Sequence, residues 1–465
     1  MSEEQRVIEL EQLVSKLAHQ FMELTATKSQ DHRKLQYATT DNGDTSLIIL
    51  SGAFILLMTI PGLGLYYSGM VRVQNVLASV MQTFSITCLI TFMWLGVGYS
   101  LAFGPANMSA TLGNAATHSS PMIGDGSRLW FWGMNIDSVH QVAPTVPESA
   151  FCMFELYFAI ITAALICGSF ADRMKYGPML IFMAIWHVGV YCPIAHWNWH
   201  PDGFLNKAGV MDWAGGNVVH ISSGVAGLMS TIVIGNRKGF GKERFEPHNI
   251  LLTFFGASLL WVGWYGFVAG SAYTANNLAG IAILNMQISS AMGALTWMTT
   301  EWILRKQPSV LGILNGAVAG LVCITPAAGY VGPTGGFFIG FIGGPACYFG
   351  AQLKKRLGFD DALDAFGIHA IGGITGGLLT GFFATEQYDH KANGVFYGGG
   401  KQLGLQIYGI VVTILWSGLF SYLFLQLVDK TIGLRVTEAD EEAGLDSSLH
   451  GETIVAYEKE NPMSN

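Results

Sequence analysis

Charged side chains are scarce in this 465-residue chain: Asp, Glu, Lys and Arg together make up 12%. A soluble domain carries about twice that share. No basic block interrupts a net charge of −8, so nucleic acid is not an expected partner. Cysteines number six, and none forms a CxxC pair. They read as small buried hydrophobes rather than a disulfide or metal framework. No Walker loop, dinucleotide fingerprint, zincin motif or nucleophile elbow occurs. The Gly-rich segment GPTGGFFIGFIGG lacks the lysine of a phosphate loop and reads as tight helix packing. Nothing places a nucleophile or metal-ligand carboxylate beside a histidine, so the chain is not expected to be an enzyme, and no cofactor is expected.

Apolar residues and glycine are abundant. The former reach 51%, the latter number 58, and mean hydropathy is +0.40. Glycine lets helices touch closely in a bilayer. Eleven apolar stretches are long enough to span, at about 20 residues each. They lie near 46–68, 76–103, 149–171, 177–196, 213–235, 249–271, 278–303, 309–326, 331–352, 364–385 and 402–429. An odd count puts the termini on opposite sides. One set of loops holds twelve basic residues, from Arg72 to Arg356. The other holds four: Arg128, Lys207, Lys391 and Lys401. The positive-inside rule therefore makes the tail cytoplasmic and the N-terminus external, in a plasma or cytoplasmic membrane.

The chain divides into a polar extension (1–45), a membrane domain (46–429) and a tail (430–465). The extension lacks the apolar core of a signal peptide. Val7, Leu10, Val14, Leu17, Phe21 and Leu24 follow a heptad seam, but over fewer than three heptads. A short coiled coil and a lone amphipathic helix both fit. A coiled coil here would staple subunits on the outer side. Asn107-Met108-Ser109 is a glycosylation sequon on the expected outer loop.

Spans 1–5 and 6–10 form two odd-numbered sets, which must insert in inverted orientation. His220 lies in the fifth span of the first set and His369 in the fifth of the second, both among glycines. This symmetry rests on count and placement, because the halves share little sequence. Matched polar positions in inverted halves point to a pathway near the midplane. Desolvation favours neutral imidazole, and two neutral rings can share one proton. Such a pair suits a small neutral solute that donates and accepts hydrogen bonds. His187 has no counterpart and reads as a core histidine bonded to a backbone carbonyl.

Asp212 precedes the fifth span as an N-cap, and its charge favours a cation in the outer vestibule. Trp264, Phe267 and Ser271 share one helix face, Phe154 and Phe158 another, and Trp199 ends an outer segment. An aromatic wall with a hydroxyl acceptor makes a cation–π site worth about 2 kcal/mol when desolvated.

The segments TIPGLGLYYSGMVRVQNVL, GSFADRMKYGPMLIF, DWAGGNVVHISSGVAGL, GFGKERFEPHNI, GWYGFVAGSAYTAN and DAFGIHAIGGITGGLLTGFFA resemble the ammonium transporters of the Amt/Mep/Rh family, most closely the Amt branch. The likeness runs in order from about 46 to 457. It implies an all-α integral membrane fold of eleven transmembrane helices: inverted five-helix repeats plus a final wrapping helix. It also implies a homotrimer with one pore per subunit.

By motif, Trp199, Phe158 and Ser271 match the outer ammonium site, with Trp264 and Phe267 around it. Phe158 and Phe267 match the rings that close the pore mouth, His220 and His369 the pore histidines, and Asp212 the entrance aspartate. Ammonium or ammonia is the implied substrate, and methylammonium its analogue. The tail resembles the family's regulatory tail, which packs under a neighbouring subunit. A nitrogen-signalling protein is an implied cytoplasmic partner there, and Ser448 falls where some members are phosphorylated. A free, solvated tail is the other reading.

Glu155 and His187 depart from the family pattern, as does the extension. Glu155 could face the pore as an acid or bond to a neighbouring helix. A transporter, an ammonium receptor and an Rh-type neutral gas channel are the three functions in view.

Overall fold

Asp41 starts the first span: its carboxylate accepts the Asp44 N–H at 2.8 Å, five residues before the apolar run begins. The computed structural model describes residues 15–16, 40–104 and 120–454. The heptad seam and the sequon lie outside the described residues, Ser15 and Lys16 apart. Ten described helices are long and apolar enough to cross a membrane, and an eleventh is shorter. They are α1 (Asn42–Met70), α2 (Val73–Phe103), α3 (Glu148–Phe170), α4 (Tyr176–Ala208), α5 (Gly216–Ile234), α6 (Ile250–Gly270), α7 (Asn277–Arg305), α8 (Val310–Ile324), α9 (Pro333–Leu357), α10 (Phe366–Phe383) and α11 (Gly400–Ile432). The chain is thus a multi-pass membrane protein of the expected architecture.

Helix α8 ends at Ile324, two residues before the apolar run does, because the chain turns there and brings Thr325 inward. Between α2 and α3 a short hairpin forms from β1 (Val139–His140) and β2 (Ala143–Pro147), in what read as loop. Helix α11 packs along α4, α5 and α10, as a wrapping helix should. All six cysteines are free, and five are buried. Cys88 is exposed instead, because it lies on the outward face of α2 with Phe84 and Phe92.

Helices α5 and α10 cross with backbones in contact. A Cβ on Gly224 would come within 2.4 Å of the Ala370 nitrogen, and one on Gly373 within 2.9 Å of the Gly216 carbonyl. Only glycine permits this approach, and it brings the two histidine-bearing turns face to face. Each histidine sits in a π-helical turn, Gly216–Ile221 and Phe366–Ala370. Such turns re-aim side chains and recur at functional sites.

The tail forms α12 (Glu438–Ala443), opened by a Thr437–Asp440 capping box, and α13 (Leu445–His450). It is docked rather than free, and it docks on its own chain. Asp446 accepts the N–H groups of Leu77 and Ala78 at 3.1 and 2.7 Å, capping the α-helical part of α2, which starts at Val76. Leu445 N–H donates to Asn75. The buried Glu441 accepts the Lys238 N–H and pairs with Arg435. Ser448 is exposed and donates to the Gly444 carbonyl at 2.8 Å. Asp446→Ala should cost about 1 kcal/mol at this cap. We expect the tail beyond Ile432 to become protease-sensitive while the spans stay protected; limited proteolysis checks it.

Candidate functional site

Two cavities adjoin the segments that carry the candidate site residues. The larger, about 860 Å³, opens on the face that carries the hairpin and is lined by Trp199, Asp212, Ser271, Tyr273 and Tyr330 among others. The smaller, about 10 Å³, has room for one water-sized molecule and lies among His220, His369, Trp264, Phe267 and Tyr66. Between them stand Phe158 and Phe267. Their rings stack with centroids 4.2 Å apart and 23° between planes, and both are buried. The stacked rings fill the space at this point.

Above the stack, Trp199 packs edge-on against Phe158 at 5.4 Å. Its indole N–H donates to the Asp212 carbonyl at 3.0 Å, which fixes the ring over the vestibule. Ser271 Oγ donates to the Phe267 carbonyl at 2.9 Å, so its lone pairs remain available to an incoming N–H. Trp199, Phe158 and Ser271 are thus brought together.

Trp264 is not with them. Its ring lies on the histidine side of Phe267 and stacks on His220 at 5.5 Å and 14°. The shared helix face was read correctly, but three residues of helix advance the side chain by about 4.5 Å, enough to pass the phenylalanine pair.

His220 and His369 are buried, with Nδ1 atoms 3.3 Å apart and rings nearly parallel. Thr325 decides which nitrogens carry protons. Its hydroxyl donates to the Leu321 carbonyl at 2.8 Å, so its oxygen can only accept from the other two neighbours. Trp264 Nε1–H donates to it at 3.1 Å, and His220 Nε2 lies 3.3 Å away. His220 therefore carries its proton on Nε2 and accepts on Nδ1. His369 must then donate from Nδ1, which leaves its Nε2 as an acceptor. The pair is ordered by a hydroxyl that the sequence reading missed. Thr325 lies in the turn after α8, where no helical period could place it.

Asp212 is 5% exposed and accepts four N–H groups, of Gly215, Gly216, Asn217 and Val218, at 2.5–3.2 Å. Burial raises its carboxyl above the ordinary range, and the four donors oppose that rise. It caps α5 as expected. Asp361 does the same for α10, accepting from Phe366 N–H at 2.8 Å and Ser169 Oγ–H at 2.8 Å. Burial pushes its carboxyl up to about 6. Each aspartate stands eight residues before its histidine, and this repeated Asp-x7-His spacing was the unread signal.

Glu155 lines neither cavity. Its Oε1 accepts the Tyr273 O–H at 2.7 Å, so it bonds to a neighbouring segment rather than opening into either cavity. The i+3 offset from Phe158 turns it about 60° around α3. His187 is buried, but no carbonyl bonds to it; its Nδ1 has no partner. Its ring instead stacks on Tyr191, because α4 passes through a π turn at His187–Tyr191. Among the described residues no cluster of His, Cys, Asp or Glu could hold a metal.

A family model described as the Ammonium Transporter Family matches residues 46–455. The protein belongs to that family. An ammonium transporter of Bacillus subtilis is 43% identical over 412 residues, covering 88% of this chain and 98% of that one. An ammonium transporter of Aquifex aeolicus is 42% identical, over 89% and 94%. Among solved structures, Saccharomyces cerevisiae Mep2 superposes with a TM-score of 0.79 at 31% identity, covering 86% and 89%. A structure titled Sensor Amt Protein aligns at 0.77 and 26%, covering 88% and 98%. The chain thus shares sequence with these transporters over most of its length and its fold with the solved structures.

Proposed function

We propose that this protein transports ammonium: it takes the ion at the aromatic vestibule, removes its proton there, and conducts ammonia along the His220–His369 pair. The observation that carries this reading is the ordered imidazole pair in a closed cavity of about 10 Å³. An ion there would lose its water and gain no counter-charge, at a cost of several kcal/mol. Ammonia can donate to His369 Nε2 and find N–H donors in turn. Potassium can neither donate a hydrogen bond nor shed its charge. On the loop-charge count the vestibule faces outward and the tail is cytoplasmic. Assembly is as a homotrimer, with the tail and the exposed Ser448 regulating from below, where a nitrogen-signalling protein would dock. Glu155, the hint toward an Rh-type gas channel, bonds to Tyr273 and lines neither cavity.

The test is ammonium-driven uptake and current in reconstituted vesicles, with methylammonium and potassium as controls. Uptake of the first two without the third supports transport. Tight ammonium binding without flux would transfer the reading to a receptor. In the same vesicles Trp199→Leu should raise the half-saturating ammonium concentration about 2- to 30-fold. That is the loss of a cation–π contact worth about 0.5–2 kcal/mol.

A further inference from the structure

Beside the pore, three buried polar atoms have no partner: Glu155 Oε2, Tyr191 Oη and His187 Nδ1. Buried polar groups are nearly always satisfied, so three unsatisfied ones in neighbouring positions call for a role. Glu155 stands on α3, which packs against the His187–Tyr191 turn of α4. Tyr191 and His187 stack with centroids 5.5 Å apart, and the Glu155 carboxylate is within electrostatic range of Tyr191. All three side chains are 1% exposed or less.

Tyr273 joins this cluster to the vestibule. It lines the large cavity together with Ser271 and Trp199. Its hydroxyl donates to Glu155 Oε1 at 2.7 Å. Its backbone has φ of +54°, a left-handed conformation that costs a bulky side chain about 1–2 kcal/mol. Strain of this kind persists where the surroundings over-determine it, as they do at working sites. Here the ring is clamped between Phe151 and Phe154, at 5.6 and 6.0 Å.

We propose that Glu155 is the acceptor of the proton that ammonium loses, with Tyr273 as the relay. This rests on the transport reading above and adds the destination of the proton. An N–H bond of ammonium breaks and its proton binds Tyr273 Oη. The Tyr273 O–H bond breaks in concert, and that proton binds Glu155 Oε1. The products are ammonia, an unchanged tyrosine and a neutral carboxylic acid; no electron is transferred and no other reactant is needed. The ammonia enters at Phe158, one helical turn along α3 from the carboxyl. The unpaired Tyr191 Oη and His187 Nδ1 offer the proton further stops along α4, outside the pore. Proton and ammonia thus part company at α3.

Two measurements test this on the full-length protein. In infrared difference spectra of the reconstituted wild type, adding ammonium chloride should produce a carboxylic-acid C=O band, which Glu155→Gln removes. In the same vesicles, E155Q and Tyr273→Phe should each lower ammonium-driven current about 100-fold or more, the scale of losing a positioned proton acceptor. In E155Q the half-saturating concentration should stay within about twofold of wild type, since Glu155 lines neither cavity. A merely structural Glu155 would give no band, or a band that E155Q retains, and either result overturns the assignment. So does wild-type current in E155Q. A wild type that carries no ammonium would instead overturn the transport reading, and the band alone would then decide the role of Glu155.

Discussion

Ammonium uptake falls about 100-fold or more when His220 and His369 are both replaced by leucine, while potassium remains excluded. This is the largest functional effect expected of this protein. On the transport reading, ammonia crossing the small cavity exchanges bonds with water for bonds along the imidazole pair. With leucines it crosses the same length with none. Each missing bond in a buried setting costs about 1–3 kcal/mol, so two cost about 2–6. At about 1.4 kcal/mol per factor of ten, 100-fold is a modest expectation within that range. The single change His220→Leu should do nearly as much, because it also strips Thr325 of a donor and Trp264 of its stacking partner. Vesicle uptake of labelled methylammonium measures it. A double variant with wild-type uptake and selectivity would remove the histidines from the mechanism.

The second large effect falls on stability. Asp212→Ala leaves four buried N–H groups without an acceptor at the start of α5. Each orphan costs about 1–3 kcal/mol, less when several share one relaxation, so about 3–6 kcal/mol in all is expected. Asp212→Asn keeps one acceptor oxygen and should lose about half as much. Thermal unfolding in detergent ranks the three proteins. The expected order is wild type, then D212N, then D212A. A melting temperature for D212A equal to wild type would show that the carboxylate is not what holds the turn.

Hydropathy alone placed all eleven spans, because about 20 apolar residues in a row have few other uses. The histidine pair was legible too, since an ionisable ring among glycines in an apolar run is rare and expensive. Phe158, Ser271 and Trp199 were legible through spacing and family likeness. What failed was direction within a helix and everything in the turns. Spacing says that Trp264 and Phe267 share a face, not on which side of the closed stack each lies. It says that Glu155 is near Phe158, not that 60° of rotation takes it out of the conduit. Thr325 occupies a turn, where no period operates, and Asp361 shows only in the Asp-x7-His spacing it shares with Asp212. They act through the geometry of chain segments that sequence separation keeps far apart.

The contact at Gly224 and Gly373 bears on how the molecule can move. Carriers built from inverted repeats commonly alternate access by rocking one repeat against the other. Here the repeats meet main chain to main chain, with a glycine hydrogen where a side chain would cushion the joint. Tilting one against the other would drive peptide atoms into each other or open a void at the crossing. On the transport reading, this leaves turnover to ring flips and proton hops. Its rhythm is that of swinging aromatic plates in a fixed frame rather than of two hinged bodies.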